Sequence, residues 1–198
     1  MKRVEDYAKT FSLEGVAKQA AHFEAPDKNY VCVQDFIKFD EMLTAIKLTP
    51  AAMDTETTGL NSLNCEIVGV SFSVKAHEGW YLPFNSDFYL QNESAIFSQL
   101  KHYYEDPNHK KIGQNIKFDA LVLSQYGITV RGIYFDTMIA HFILYPLIRS
   151  NSLDDMAKLY LNYKMVPISD LIGKGKSQGS MKDVPLDKIS FYAAEDTD

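Results

Sequence analysis

Two cysteines in 198 residues cannot build a disulfide framework, and Cys32 and Cys65 each sit in an apolar run that reads as buried strand. No apolar stretch approaches the roughly 20 residues that a membrane helix needs, so no membrane association is expected. The opening Met-Lys-Arg-Val-Glu-Asp-Tyr has basic residues with no apolar segment behind them, which does not read as a secretory signal. A soluble, cytoplasmic chain is the expectation. The five histidines, at 22, 77, 102, 109 and 141, include no His-x-x-x-His pair and no cysteine partners, which removes the usual zinc patterns. An excess of positive charge is also missing. The net charge of −6 argues against holding long nucleic acid by phosphate neutralisation alone. A site that takes a few terminal nucleotides can instead draw positive charge from bound metal ions.

What the chain has is acid in a pattern. Asp54 and Glu56 lie in Met-Asp-Thr-Glu-Thr-Thr-Gly-Leu behind the apolar lead-in Ala51-Ala52-Met53. On a strand, residues two apart share a face, and two carboxylates on one face repel unless a cation sits between them. Tyr192 and Asp196 are four apart in an Ala-rich segment, which on a helix stacks the phenol over the carboxylate. Asp119 closes a third segment, Gly-Gln-Asn-Ile-Lys-Phe-Asp. Oxygen ligands without histidine or cysteine select Mg2+ or Mn2+ over zinc. The set points to a metal-dependent nuclease.

Forty-six per cent apolar residues over this length support one catalytic domain. Residues 1–27, ending at Pro26-Asp27, read as an amphipathic leader or linker, and the domain is expected over 28–198. A strand is expected at Asn29-Tyr-Val-Cys-Val and a helix from Asp35 to Ile46. Three strands follow, Ala51 to Thr55, Ile67 to Val74 and Gly79 to Pro83, spaced as an antiparallel meander. Helices at Glu93 to Tyr104, Lys117 to Tyr126 and Asp136 to Leu144 then alternate with strands at Lys111-Ile-Gly and Gly132 to Phe135. From Ser152 onward the pattern is helical, broken by a loop at 173–179. Strands in a meander, then strands alternating with helices, predict an α/β domain with a mixed central sheet flanked by helices, the ribonuclease H-like architecture. Asp198 follows Asp196 with no stopping residue, so the chain reads as a fragment of a longer protein.

Some features have plainer readings. Asp136, opening a helix in Phe-Asp-Thr-Met, is an N-cap rather than a further ligand. Gly175-Lys176-Ser177 lacks the first glycine of a P-loop, since Asp170 stands there, and no strand precedes it. The Tyr103-Tyr104 pair reads as helix face, and lysines 110, 111, 117, 174, 176 and 182 as solvated charges within reach of phosphates.

Three acidic segments in this order, with the flanks Gly113-Gln-Asn-Ile-Lys-Phe-Asp, Arg131-Gly-Ile-Tyr-Phe-Asp-Thr-Met and Tyr192-Ala-Ala-Glu-Asp-Thr-Asp, resemble the tyrosine branch of the DEDD exonuclease superfamily. The wording is most similar to the 3′→5′ proofreading exonuclease domains of bacterial family A DNA polymerases, over residues 28–198. The resemblance implies two divalent ions, Mg2+ or Mn2+, one held by Asp54, Glu56 and Asp196 and a second by Asp54 and Asp119, Asp119 partly through water. Tyr192 would orient the attacking water. Leu60 resembles a wedge beside the terminal base, and Thr57, Gln114, Asn115 and Phe118 fall where the family holds the last nucleotides. Arg149 resembles a phosphate-touching arginine, although Ser-Asn-Ser-Leu-Asp-Asp after it departs from the family wording. The implied partners are a single-stranded or frayed 3′ end of DNA and a covalently linked polymerase domain, in a monomer in the bacterial cytoplasm. A catalytically silent strand-binding module and a ribonuclease D-like trimmer of RNA are the alternatives.

Overall fold

The computed structural model describes residues 27–175 and 178–198. All but the last residue of the expected leader lies outside them, as do Lys176 and Ser177. In chain order the elements are β1 (Asn29–Cys32), α1 (Phe36–Leu48), β2 (Ala51–Thr57), β3 (Ile67–Ser73), β4 (Glu78–Pro83), α2 (Asp87–Glu105), β5 (Lys111–Gly113), α3 (Ile116–Gln125), β6 (Ile133–Asp136), α4 (Thr137–Leu144), α5 (Leu153–Leu161), α6 (Ile168–Ile172), a 3₁₀ turn (Met181–Asp183) and α7 (Leu186–Thr197).

Local chemistry sets most boundaries. The Asp35 carboxylate accepts from the Lys38 N–H at 2.8 Å and starts α1. The helix then buries Phe39, Met42, Leu43 and Ile46 at helical spacing. It stops at Thr49, held extended by the proline that follows. Ser86 starts α2 by accepting from the Tyr89 N–H, which is earlier than the apolar spacing predicts. Asn92 is non-helical inside α2 and divides that extra turn from the expected helix beginning at Glu93.

The six strands form one sheet in the order β1-β4-β3-β2-β5-β6. β2, β3 and β4 are the expected antiparallel meander. β5 and β6 extend it in parallel on one side and β1 pairs parallel to β4 on the other. The mixed ribonuclease H-like sheet is therefore present. Every residue of β3 is buried, because helices cover both faces of the sheet there.

On one face, α1, α2 and α3 enclose the main core, with Phe39, Ile96, Leu100 and Val122 against Met53, Val70 and Phe72. Tyr103 and Tyr104 belong to this core and are fully buried, which corrects the helix-face reading. Tyr103 meets Phe72 edge-on, ring centroids 5.7 Å apart. On the other face α7 lies across β1 to β4, and Ile189 and Ala193 pack on Val68 and Tyr81. Lys111 is buried rather than solvated. Its Nζ donates to the Asp106 carbonyl at 2.8 Å and burial pulls its pKa down to about 8, so it is no phosphate ligand. Cys65 is buried in the loop before β3, not in a strand. No helix of the described residues is long and apolar enough to cross a membrane.

Candidate active site

β2 presents Asp54 and Glu56 on the face beneath α7, and Thr55 between them turns to the other. The strand's register against β3 shifts between Glu56 and Thr57, a bulge that ends regular pairing beside the acids. From α7, Asp196 completes a cluster: Asp54, Glu56 and Asp196 each offer a carboxylate oxygen within 4.8 Å of the others. Asp119 stands in the first turn of α3, where the helix N-terminus favours an anion. It is 1% exposed, and its Oδ1 accepts from the Thr55 hydroxyl at 2.6 Å and the Thr55 N–H at 3.1 Å. A single residue of β2 thus ties the fourth acid to the strand that carries the first two. Asp136 caps α4 as expected and also accepts from the N–H groups of Asn115 and Ile116, so it fixes the start of α3 as well.

Two devices hold α7 over the sheet. The first is a close crossing: a Cβ added at Gly79 would lie 3.1 Å from the Ala194 carbonyl oxygen and Cβ. Gly79→Val is expected to lift the helix, lowering stability by about 1–3 kcal/mol and cleavage more than tenfold, read by thermal melting and a nuclease assay on the same sample.

The second is Glu195, which points away from the acids while its neighbour Asp196 points towards them. Its side chain is 2% exposed and accepts from the Val166 N–H at 2.7 Å, from the Tyr163 hydroxyl and from Lys28 Nζ at 3.4 Å. Asp198 adds a bond from the Tyr30 hydroxyl at 2.6 Å. Glu195→Ala would leave Lys28 half-paired and the Val166 N–H unsatisfied. A loss of about 2–4 kcal/mol is expected, at the low side of a broken buried pair because Lys28 keeps some solvent. Urea titration measures it.

Crowding four acids has an electrostatic cost. Burial first, then the Asp196 charge, pushes Asp54 up to about 8. Burial raises Asp196 to about 7, against the opposing hydrogen bond from Tyr192. Glu56 and Asp119 are raised well above the carboxylate range by burial and then by Asp54. Tyr192, half-buried, is pushed above the ordinary phenol range by burial and by the charges of Asp196, Glu56 and Asp54, so it is a neutral donor. Glu56 Oε1 is buried without a hydrogen-bond partner. An all-oxygen cluster with an orphaned carboxylate oxygen fits a hard divalent cation, which would relieve the repulsion and supply the missing partner.

A 3′-5′ exonuclease family profile matches residues 30–198. The chain belongs to that family. Its exonuclease segment is 33% identical to DNA polymerase I of Pseudomonas aeruginosa over 177 residues, 86% of this chain and 19% of that protein. It is 32% identical to DNA polymerase I of Borreliella burgdorferi over 173 residues, 85% of this chain and 18% of that protein. The chain thus spans about a fifth of the length of these relatives. Among solved structures, Trypanosoma brucei RNase D superposes with a TM-score of 0.65 at 16% identity, covering 85% of this chain and 61% of that one. Brucella melitensis NrnC gives 0.62 at 19% identity, covering 86% and 75%. At these identities the structures share the fold.

The remaining residues singled out in the sequence have the following places in the fold. Leu60 is 93% exposed just past the end of β2. Thr57 turns its hydroxyl to the Gly59 carbonyl at 2.9 Å. Gln114 donates to the Asn151 carbonyl at 2.7 Å and accepts from the Thr137 hydroxyl. Asn115 caps α3 in the left-handed region, φ 59°, with its buried Oδ1 unpartnered. Phe118 packs half-buried on the main core, and Arg149 is exposed. Lys182 pairs with Glu66 at 3.0 Å. Sequence reasoning missed Thr55 and Glu195. Glu195 stands inside the quoted Tyr192 segment, but nothing in its spacing marks it as a brace.

Proposed function

We propose that this chain is the metal-dependent proofreading exonuclease of a DNA polymerase I, removing nucleotides one at a time from a single-stranded or frayed 3′ end of DNA. The observation that carries the reading is the cluster of Asp54, Glu56 and Asp196 oxygens within 4.8 Å, with Asp119 hooked to the same strand through Thr55. Asp54, Glu56 and Asp196 would hold one divalent ion, and Asp54 with Asp119 a second, Mg2+ or Mn2+. When bound, such a pair supplies a water of lowered pKa and neutralises charge on the leaving 3′-oxygen.

The protein's own groups supply order. Tyr192, one helical turn before Asp196, keeps its proton and so positions the attacking water as a hydrogen-bonding group rather than a base. Glu56 accepts from the same water. Leu60, exposed past the end of β2, would wedge against the terminal base. Thr57, Gln114, Asn115 and Phe118 line the approach of the last nucleotides, and Arg149 reaches a phosphate. Stacking and backbone contact of this kind read no sequence, which suits an editing site. The domain occupies residues 28–198, is monomeric, works in the bacterial cytoplasm, and is linked covalently to a polymerase segment.

The shared fold of the ribonucleases D makes the sugar the point to test. With matched 5′-labelled DNA and RNA single strands, the DNA is expected to shorten at least tenfold faster. Trimming of RNA alone would replace this reading with a ribonuclease D-like one, and cleavage of neither strand would leave a silent module.

A further inference from the structure

We propose that Tyr81 is a positioning residue whose hydroxyl holds the Glu56 carboxylate in the metal-loaded site, donating to it directly or through one water. For its catalytic consequence the proposal rests on the exonuclease reading; for its metal-binding consequence it stands alone.

Tyr81 is fully buried beneath α7, yet its hydroxyl has no hydrogen-bond partner. An unmade hydrogen bond in the interior costs free energy that a phenylalanine of the same shape would not incur, so the oxygen calls for an explanation. Its place is set by Gly69. A Cβ added there would lie 2.5 Å from the ring carbons of Tyr81 and closer still to its oxygen. The hydroxyl therefore fills the space that a side chain at position 69 would take. Gly69 is the residue directly opposite Glu56 in the β2–β3 register. Side chains so placed share a face of the sheet, with Cβ atoms about 4.5–5.5 Å apart. The phenol oxygen is thus set beside the base of the Glu56 side chain, whose own Oε1 is buried and unpartnered. One orphan is a donor and the other an acceptor.

The nearest competitor is Ser71, opposite both Asp54 and Tyr81. Its hydroxyl is also without a partner, so the two hydroxyls do not satisfy each other. Burial, and then the Glu56 charge, push the Tyr81 phenol above its ordinary range, so it keeps its proton and remains a donor. A carboxylate ligand fixed from behind in this way keeps its geometry when the cation arrives, and losing such support costs about 10–100-fold in metal affinity or activity.

Tyr81→Phe removes the oxygen and nothing else. Titrating Mn2+ alone into each protein by calorimetry is expected to give a Kd about tenfold or more weaker for the variant. Its metal-free melting temperature should be unchanged or higher. In cleavage, kcat at limiting Mn2+ should fall with the KM for DNA unchanged, and saturating Mn2+ should restore it. Equal Mn2+ affinities for the two proteins overturn the proposal, as does a lower metal-free melting temperature with affinity unchanged, which is a packing role. Wild-type protein that binds Mn2+ but cuts no DNA would sink the exonuclease reading, while the two affinities would still decide Tyr81.

Discussion

Asp54→Asn is expected to lower 3′-end cleavage by about a thousandfold or more, a scale set by losing one preorganised charged group at a reacting centre, while the protein stays folded. Asp54 is the acid that the others share. Its charge is among those that raise Glu56 and Asp119, and Asp196 is the main charge acting on it. Asparagine keeps the shape, so β2 and its pairing with β3 are undisturbed. It also removes one of several mutually repelling charges in the cluster, so the metal-free variant should melt no lower than wild type at pH 8. Activity lost together with stability would mean that the change acts through the fold. Asp119→Asn should cost a comparable factor in cleavage, but it also weakens the acceptor of the Thr55 hydroxyl, so some stability goes with it.

The second large effect is on stability, through pH and metal. Asp54, pushed up to about 8, and Asp196, to about 7, keep their protons in the folded protein at pH values where the unfolded chain has released them. The folded state then binds more protons than the unfolded one. The contribution of these two acids to metal-free stability is therefore fully present below about pH 4 and is lost as pH rises from there through about 8. A divalent cation reverses the trend, because it needs the carboxylates ionised and binds only the assembled cluster. At a hundred times its Kd it adds about 2.7 kcal/mol, which for this size raises the melting temperature by about 5–10 °C. The increment should be near its full size at pH 8 and small at pH 5, and Asp54→Asn should remove most of it. Melting curves with Mn2+ and with EDTA at the two pH values test this. Equal increments at pH 5 and pH 8 would mean that the cation binds elsewhere.

Much of this site was legible in the chain because its central pair is local. Asp54 and Glu56 share a face by strand alternation, Tyr192 and Asp196 by helical spacing, and Asp136 is the N-cap that its place before Thr137 suggests. What the sequence hid is long-range. Asp119 is fixed by Thr55, 64 positions away, and Glu195 by Lys28, Tyr163 and Val166, at separations of 167, 32 and 29. No periodicity encodes such pairs. β1 pairs parallel to β4 across the intervening α1, β2 and β3, an arrangement that turn signals do not reveal. Tyr103 and Tyr104 were misread because a phenol looks fit for water, yet two adjacent rings at the end of α2 pack on Phe72 and one another. Lys111 was misread in the same way, since a lone lysine on a three-residue strand looks like surface charge until the Asp106 carbonyl is placed beside it.

The most direct test of the central claim is a time course on a 5′-end-labelled single-stranded DNA with Mg2+, in parallel with EDTA and with Asp54→Asn. A ladder that shortens from the 3′ end one nucleotide at a time is expected, abolished by EDTA and nearly so by the substitution. A ladder of the same rate in EDTA, or products cut internally, would contradict it.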